Sequence, residues 1–212
     1  GASVSVSGDL YILDRWRGDN NGGGGVFSGQ QSTTAPSNFV NSLLLTVTTP
    51  DASIGATEAY TFTQRVEGFN IADFGWGTAS AQTVTLSFMV RSSVTGAFGG
   101  SLQNADNTRS YPFSYTISSA NTWETKSVTI AGETSGTWQT STGIGIRCAF
   151  SLGVGASRKS TAGVWASADY RAPTGSVDLI STSGATFYIT GVQLEKGSTA
   201  TDFEYVDYGR QL

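Results

Sequence analysis

Val84-Thr85-Leu86-Ser87-Phe88-Met89-Val90-Arg91 places Val, Leu, Phe and Val on the even positions and Thr, Ser, Met and Arg on the odd ones. Successive side chains of a strand point to opposite faces, so this octet is a strand with one buried face. Ile144-Gly145-Ile146-Arg147-Cys148-Ala149-Phe150-Ser151-Leu152 repeats the pattern, with Ile144, Ile146, Cys148, Phe150 and Leu152 on one side. Cys148 is therefore expected to be a small core residue whose apolar neighbours keep the thiol protonated.

The same period recurs along the chain. Further strands are expected over residues 10–17, 26–32, 43–48, 60–66, 111–117, 124–130 and 187–194. In the 60–66 segment Tyr60, Phe62 and Val66 face one way, while Arg65 and Glu67 face the other. The apolar parity of the last strand changes at Gly191, which predicts a bulge or burial on both faces. A helical signal is confined to one turn at Asn70-Ile71-Ala72-Asp73-Phe74. About ten strands joined by Gly, Ser and Thr turns predict an all-β antiparallel β-sandwich or jelly roll, one domain over residues 1–212. Asn20-Asn21-Gly22-Gly23-Gly24-Gly25 reads as a flexible loop and lacks the phosphate-loop pattern.

Composition agrees. The 212 residues include 27 Gly and roughly a quarter Ser plus Thr, with 13% charged, 38% hydrophobic and 11% aromatic residues. A globular average is about 25% charged, yet the apolar share is large enough to bury a core. No histidine is present, which excludes Ser-His-Asp and Cys-His catalysis and His-ligated metals. A single Cys excludes an intrachain disulfide and a zinc finger. A net charge of -4 with three lysines argues against nucleic acid as a partner. No apolar run approaches the ~18 residues of a membrane span, and no signal peptide is visible, so cytoplasmic synthesis without membrane association is expected.

The longest stretch without alternation, 153–176, is the segment most expected to carry function. Sugar rings lie flat on aromatic faces while their hydroxyls pair with planar polar groups. Trp165, Asp169, Tyr170 and Arg171 supply that combination, and Trp138 is a second aromatic candidate. Trp16, Trp76 and Trp123 read as packing residues. Glycoside hydrolysis needs two carboxylates at a fixed separation, and no Asp/Glu pair is set among aromatics in an evident way. No cofactor is expected; the one open possibility is a structural calcium held by the cluster Asp9, Asp14, Asp19 and Asn20.

Three segments carry a resemblance. Tyr11-Ile12-Leu13-Asp14-Arg15-Trp16, Gly75-Trp76-Gly77-Thr78-Ala79-Ser80-Ala81, and Phe187 to Gly197 followed by Ala200-Thr201-Asp202-Phe203-Glu204 resemble a family of tailed-bacteriophage virion proteins described as tail-fibre or structural proteins. The closing Gln-Leu-Glu-x-Gly and Ala-Thr-x-Phe-Glu are the most specific part. The pattern strand, Thr-Trp-Glu-Thr-Lys strand, closing Tyr-Ile-x-x-Val-x-Leu strand is also similar to carbohydrate-binding-module jelly rolls. Family members typically begin before and continue past the residues present here, which implies a domain excised from a longer chain. Where the sugar-binding modules carry a calcium-holding Asp in the last strand, this sequence has Thr190-Gly191.

The resemblance implies a non-enzymatic protein of the virion surface, on a tail fibre or as a head decoration. Its implied partners are host-surface polysaccharide, other virion proteins and copies of itself, with a trimer favoured. A purely structural decoration or fibre-assembly module and a polysaccharide depolymerase are the alternatives.

Overall fold

The computed structural model describes residues 1–205; residues 206–212, the tail of the expected 1–212 domain, lie outside the described residues. Fourteen strands are present among them, in chain order β1 (Val4–Val6), β2 (Leu10–Leu13), β3 (Trp16–Asn21), β4 (Val26–Ser32), β5 (Ser42–Thr49), β6 (Ala59–Glu67), β7 (Val84–Ser92), β8 (Gly96–Gln103), β9 (Ser110–Ile117), β10 (Glu124–Ile130), β11 (Ile144–Val154), β12 (Lys159–Ser160), β13 (Ala172–Pro173) and β14 (Thr186–Lys196). Twelve of them form two six-stranded sheets, ordered β1-β4-β5-β14-β7-β10 and β2-β3-β6-β11-β8-β9. Pairing within both is antiparallel. The two sheets enclose one continuous core, an all-β sandwich as expected.

The decisive octet behaves as its alternation requires. Val84, Leu86, Phe88 and Val90 are at most 1% exposed, and Ile146, Cys148, Phe150 and Leu152 face them from the other sheet. Burial pushes the Cys148 thiol up to about 12, which keeps it a core filler. The centre of the sandwich is aromatic. Phe62 and Phe150 stack at 5.2 Å, and Phe88 and Phe113 meet the Phe150 ring edge-on at 5.1 and 5.7 Å.

Four features differ from expectation. The segment 10–17 is two strands, because Arg15 adopts a left-handed conformation (φ 63°) and reverses the chain between β2 and β3. Residues 20–25 are not a free loop: Asn20 and Asn21 belong to β3 and pair with Tyr60 and Ala59 of β6, and the Tyr60 hydroxyl accepts the Gly25 N–H at 2.9 Å. The glycine-rich segment Gly96–Gln103 is an interior strand. A Cβ at Gly100 would lie 2.1 Å from the Ala149 carbonyl oxygen, so the glycines are what lets β8 close against its neighbours. The short first strand, β1, is the fourth. The parity change in the last strand is a bulge, with Gly191 at φ 60° and a register shift against β7 between Thr190 and Gln193. The helical signal is a 3-10 turn over Gly68–Phe74. Among the described residues no helix is long and apolar enough to cross a membrane.

Candidate functional site

Alternation that buries one face of β2-β3-β6-β11-β8-β9 necessarily presents the opposite parity outward. Strand register then lines those residues up across the sheet. One row runs Tyr11, Arg17, Thr63, Ala149, Ser101, each directly opposite the next. A second runs Arg65, Arg147, Gln103, Ser110. Asp19 joins the face from β3, where its carboxylate accepts the Thr63 hydroxyl at 2.9 Å.

The chain between β11 and β14 folds back as an arm over the β8–β9 edge. Ser110 and Ala166 exchange both backbone hydrogen bonds, at 3.0 and 2.9 Å, and the Ser110 hydroxyl donates to the Ala168 carbonyl at 2.6 Å. Asp169 then reaches onto the sheet face. It accepts the Gln103 amide at 2.7 Å, two bonds from Arg171 at 3.1 Å each, and an ion pair from Arg158. Between arm and sheet lies a cleft of about 150 Å³, lined almost wholly by polar groups, among them Arg17, Asp19, Asn21, Gln103, Arg147 and Arg171. At the end of β2, β3 and β6 an open groove of about 680 Å³ continues past Tyr11, Arg15, Arg65 and Glu67.

Of the five residues expected to contact glycan, Arg171 alone lines the cleft. Asp169 stands behind it with its acceptor positions taken by Gln103, Arg158 and Arg171, so it anchors the arm. Tyr170 is half-buried, its N–H donating to the Ser110 hydroxyl at 3.3 Å. Trp138 is 8% exposed, a core residue. Its ring meets Trp165 edge-on at 5.5 Å, and both meet Trp76, at 4.8 and 5.3 Å. The indole N–H of Trp165 donates to the Ala131 carbonyl at 2.8 Å. These two rings are committed to packing, and the cluster they form pins the arm to the sandwich.

The acidic cluster expected to hold calcium is also redistributed. Arg17 occupies the space between Asp9 and Asp19, contacting both, and the Asn20 amide is spent on the Gly25 carbonyl at 2.7 Å. Asp14 lies in the groove instead. Among the described residues no group of three or more His, Cys, Asp or Glu side chains is placed to hold a metal.

Electrostatics in the cleft are set by burial first. Burial raises the Asp19 carboxyl, opposed by the Arg17 charge and the Thr63 hydrogen bond. Burial likewise lowers the Arg147 guanidinium, and the charge of Arg65 lowers it further. At Asp169 burial acts upward but is outweighed by Arg171, Gln103 and Arg158, so its carboxyl is held below the usual value of 3.8. A carboxylate with a depressed folded pKa stabilises the fold above its unfolded pKa, and that contribution disappears as pH falls through the folded pKa. Asp169→Asn should therefore cost about 1.5–3 kcal/mol near neutral pH, the scale of hydrogen bonds to a charged group. The difference from the parent protein should shrink below pH 3.8, as measured by urea unfolding across pH.

Residue-type reasoning missed Tyr11, Arg17, Asp19, Gln103 and Arg147 as a set. A signal was present: Arg65 and Arg147 sit on the polar parity of strands whose other parity is core. What brings them together is strand order, which alternation does not encode.

No family model matches the chain, and no curated protein matches it. Among solved structures, it is similar to the enzymatically active domain of tailspike protein 4 of bacteriophage CBA120, at 12% identity and a TM-score of 0.45, over 86% of this chain and 19% of that one. The chain thus spans about a fifth of the length of that domain. It is also similar to the family 11 carbohydrate-binding module of Clostridium thermocellum in complex with a β-1,3-1,4-mixed-linked tetrasaccharide, at 12% identity and a TM-score of 0.42, over 90% and 95% of the two chains. The C-terminal family 22 carbohydrate-binding module of Clostridium thermocellum Xyn10B gives 14% identity and a TM-score of 0.45 over 89% and 90%. At these identities and scores they are likenesses of the sandwich architecture and assign no ligand to this chain.

Proposed function

We propose that the protein is a non-enzymatic saccharide-binding module that uses the outer face of the β2-β3-β6-β11-β8-β9 sheet, displayed on a tailed-phage virion where it contacts host-surface polysaccharide. One observation carries the binding surface: Tyr11, 60% exposed, stands directly opposite Arg17, whose guanidinium contacts Asp9 and Asp19. An exposed ring offers a flat apolar face, and the Arg and Asp groups beside it offer the in-plane donors and acceptors that ring hydroxyls need. The two carboxylates in the cleft, Asp9 and Asp19, share Arg17, an arrangement that holds them as hydrogen-bonding groups.

A glycan array should give a defined set of hits, and Tyr11→Ala should weaken binding about tenfold, the ~1.4 kcal/mol scale of one aromatic contact. Its thermal midpoint should stay near that of the parent protein, because the ring is exposed. An array without hits refutes this reading; new reducing ends released from a bound polysaccharide would favour a depolymerase.

A second reading, a subunit-packing module of a fibre or capsid, has its own observation. Val40 is 80% exposed beside Phe39, Phe203 and Tyr205, whose rings lie 5.1–5.6 Å apart, on the outer side of the opposite sheet. An exposed apolar patch of this kind suits contact with like subunits, a trimer included. Sedimentation as a monomer at micromolar concentration would count against it.

A further inference from the structure

Of the nine arginines in the chain, Arg17, Arg147 and Arg171 line the cleft, Arg15 and Arg65 line the groove, and Arg158 reaches Asp169 behind the cleft. Three have carboxylate partners. Arg17 contacts Asp9 and Asp19, and Arg158 and Arg171 share Asp169. Among the described residues Arg15, Arg65 and Arg147 do not. Arg147 donates Nε and Nη2 to one backbone carbonyl, that of Ala105, at 3.2 and 2.9 Å. Arg65 makes no hydrogen bond or ion pair among the described residues, and its Nε is buried without a partner.

These two stand directly opposite each other on β6 and β11. Like charges opposite one another in a sheet destabilise it, and a buried unpaired N–H costs more. The repulsion falls away when an oxyanion lies between the pair and accepts from the Nη groups of Arg65 and from Nη1 of Arg147, which the Ala105 contact leaves free. Position favours a ligand as well: Arg147 lines the cleft, Arg65 lines the groove, and Tyr11 lies in the same groove. The groove beside Arg65 is open and holds about 680 Å³, room for a sugar ring and its substituent.

Resting on the saccharide-binding reading, we propose that the Arg65–Arg147 pair is the subsite for an oxyanion-bearing sugar unit, a uronate carboxylate or a sulfate ester, within the bound polysaccharide. The whole chain carries a net charge of -4 and repels polyanions, so recognition of an acidic glycan has to come from a local array such as this one.

The test is titration calorimetry of the full chain with polygalacturonate, dextran sulfate and neutral dextran at 50 and 200 mM salt. One acidic polymer should bind, more weakly at higher salt, and the polymer that binds identifies carboxylate or sulfate as the anion. Arg65→Gln and Arg147→Gln should each raise its Kd at least about tenfold. Lys126→Gln, on the opposite sheet, should leave it unchanged. Arg65→Gln breaks no bond in the fold, and without ligand its thermal midpoint should rise by about 1–3 °C as the repulsion is relieved.

A neutral glucan that binds equally well to the parent protein and to both Gln variants overturns the subsite and leaves the saccharide reading standing. Failure of all three polymers, with an empty glycan array, overturns both. A fall in the midpoint of unliganded Arg65→Gln overturns the premise that the pair is held against its own repulsion.

Discussion

Phe150→Ala should lower the thermal midpoint by roughly 10–15 °C, from a loss of about 3–5 kcal/mol at the ~2–4 °C per kcal/mol typical of a chain this size. Phe150 is fully buried at the crossing of both sheets, in contact with the rings of Phe62, Phe88, Phe113 and Trp16. Deleting it removes transfer free energy and leaves a cavity whose walls come from four strands, each fixed by its own ladder, so collapse is limited. Differential scanning calorimetry reads the shift directly. A drop of only a few degrees would mean that the sheets can slide together to fill the space, contrary to a rigid aromatic centre. Phe150→Leu, which keeps most of the volume, should recover more than half of the loss.

Trp76→Ala should cost about as much, 3–5 kcal/mol, and should also abolish ligand binding at a residue remote from the binding face. Trp76 is the hub on which Trp138, Trp165 and Phe74 converge, at 4.8, 5.3 and 5.8 Å, and its indole N–H donates to the Gln82 carbonyl at 2.8 Å. Trp165 in turn holds the arm that delivers Asp169 and Arg171 to the cleft. Without the hub the arm loses the edge-on packing of Trp165 on Trp76 and is left to its pairing with Ser110, the Trp165–Ala131 hydrogen bond and the Asp169 contacts. Trypsin should then cleave at Arg158, Lys159 or Arg171 well before the sandwich unfolds, whereas the parent protein resists. Equal protease resistance in both would show that the arm is held from the β9 side alone.

The two predictions separate two uses of aromatic residues that look alike in a composition count. The core phenylalanines sit on strict alternation in strands and were legible as such. Trp76, Trp138 and Trp165 sit in turns and in the arm, where no period applies, and a loop tryptophan reads equally well as a ligand platform or as an anchor. Trp165 and Trp138 are anchors because Trp76, some sixty to ninety residues earlier in the chain, is folded against both. The arm is the segment over 153–176 that lacks strand alternation. Its contribution is to wall the cleft with Arg171 through Asp169, and no stacking ring comes from it.

Local pattern along the chain was sufficient for the all-β class, the inward parity of the main strands, the role of Cys148, the bulge at Gly191 and the 3-10 turn near Phe74. Each of these depends on neighbours within a few residues, where period and glycine placement act directly on backbone geometry. The site depends on register between strands far apart in sequence. Tyr11 meets Arg17 across a two-residue turn, but Arg65 meets Arg147 because β6 pairs with β11, and Arg147 meets Gln103 because β11 pairs with β8. Strand order is settled by how two whole sheets share one core. The facing pair Arg65 and Arg147 therefore exists in the folded chain and in no segment of its sequence.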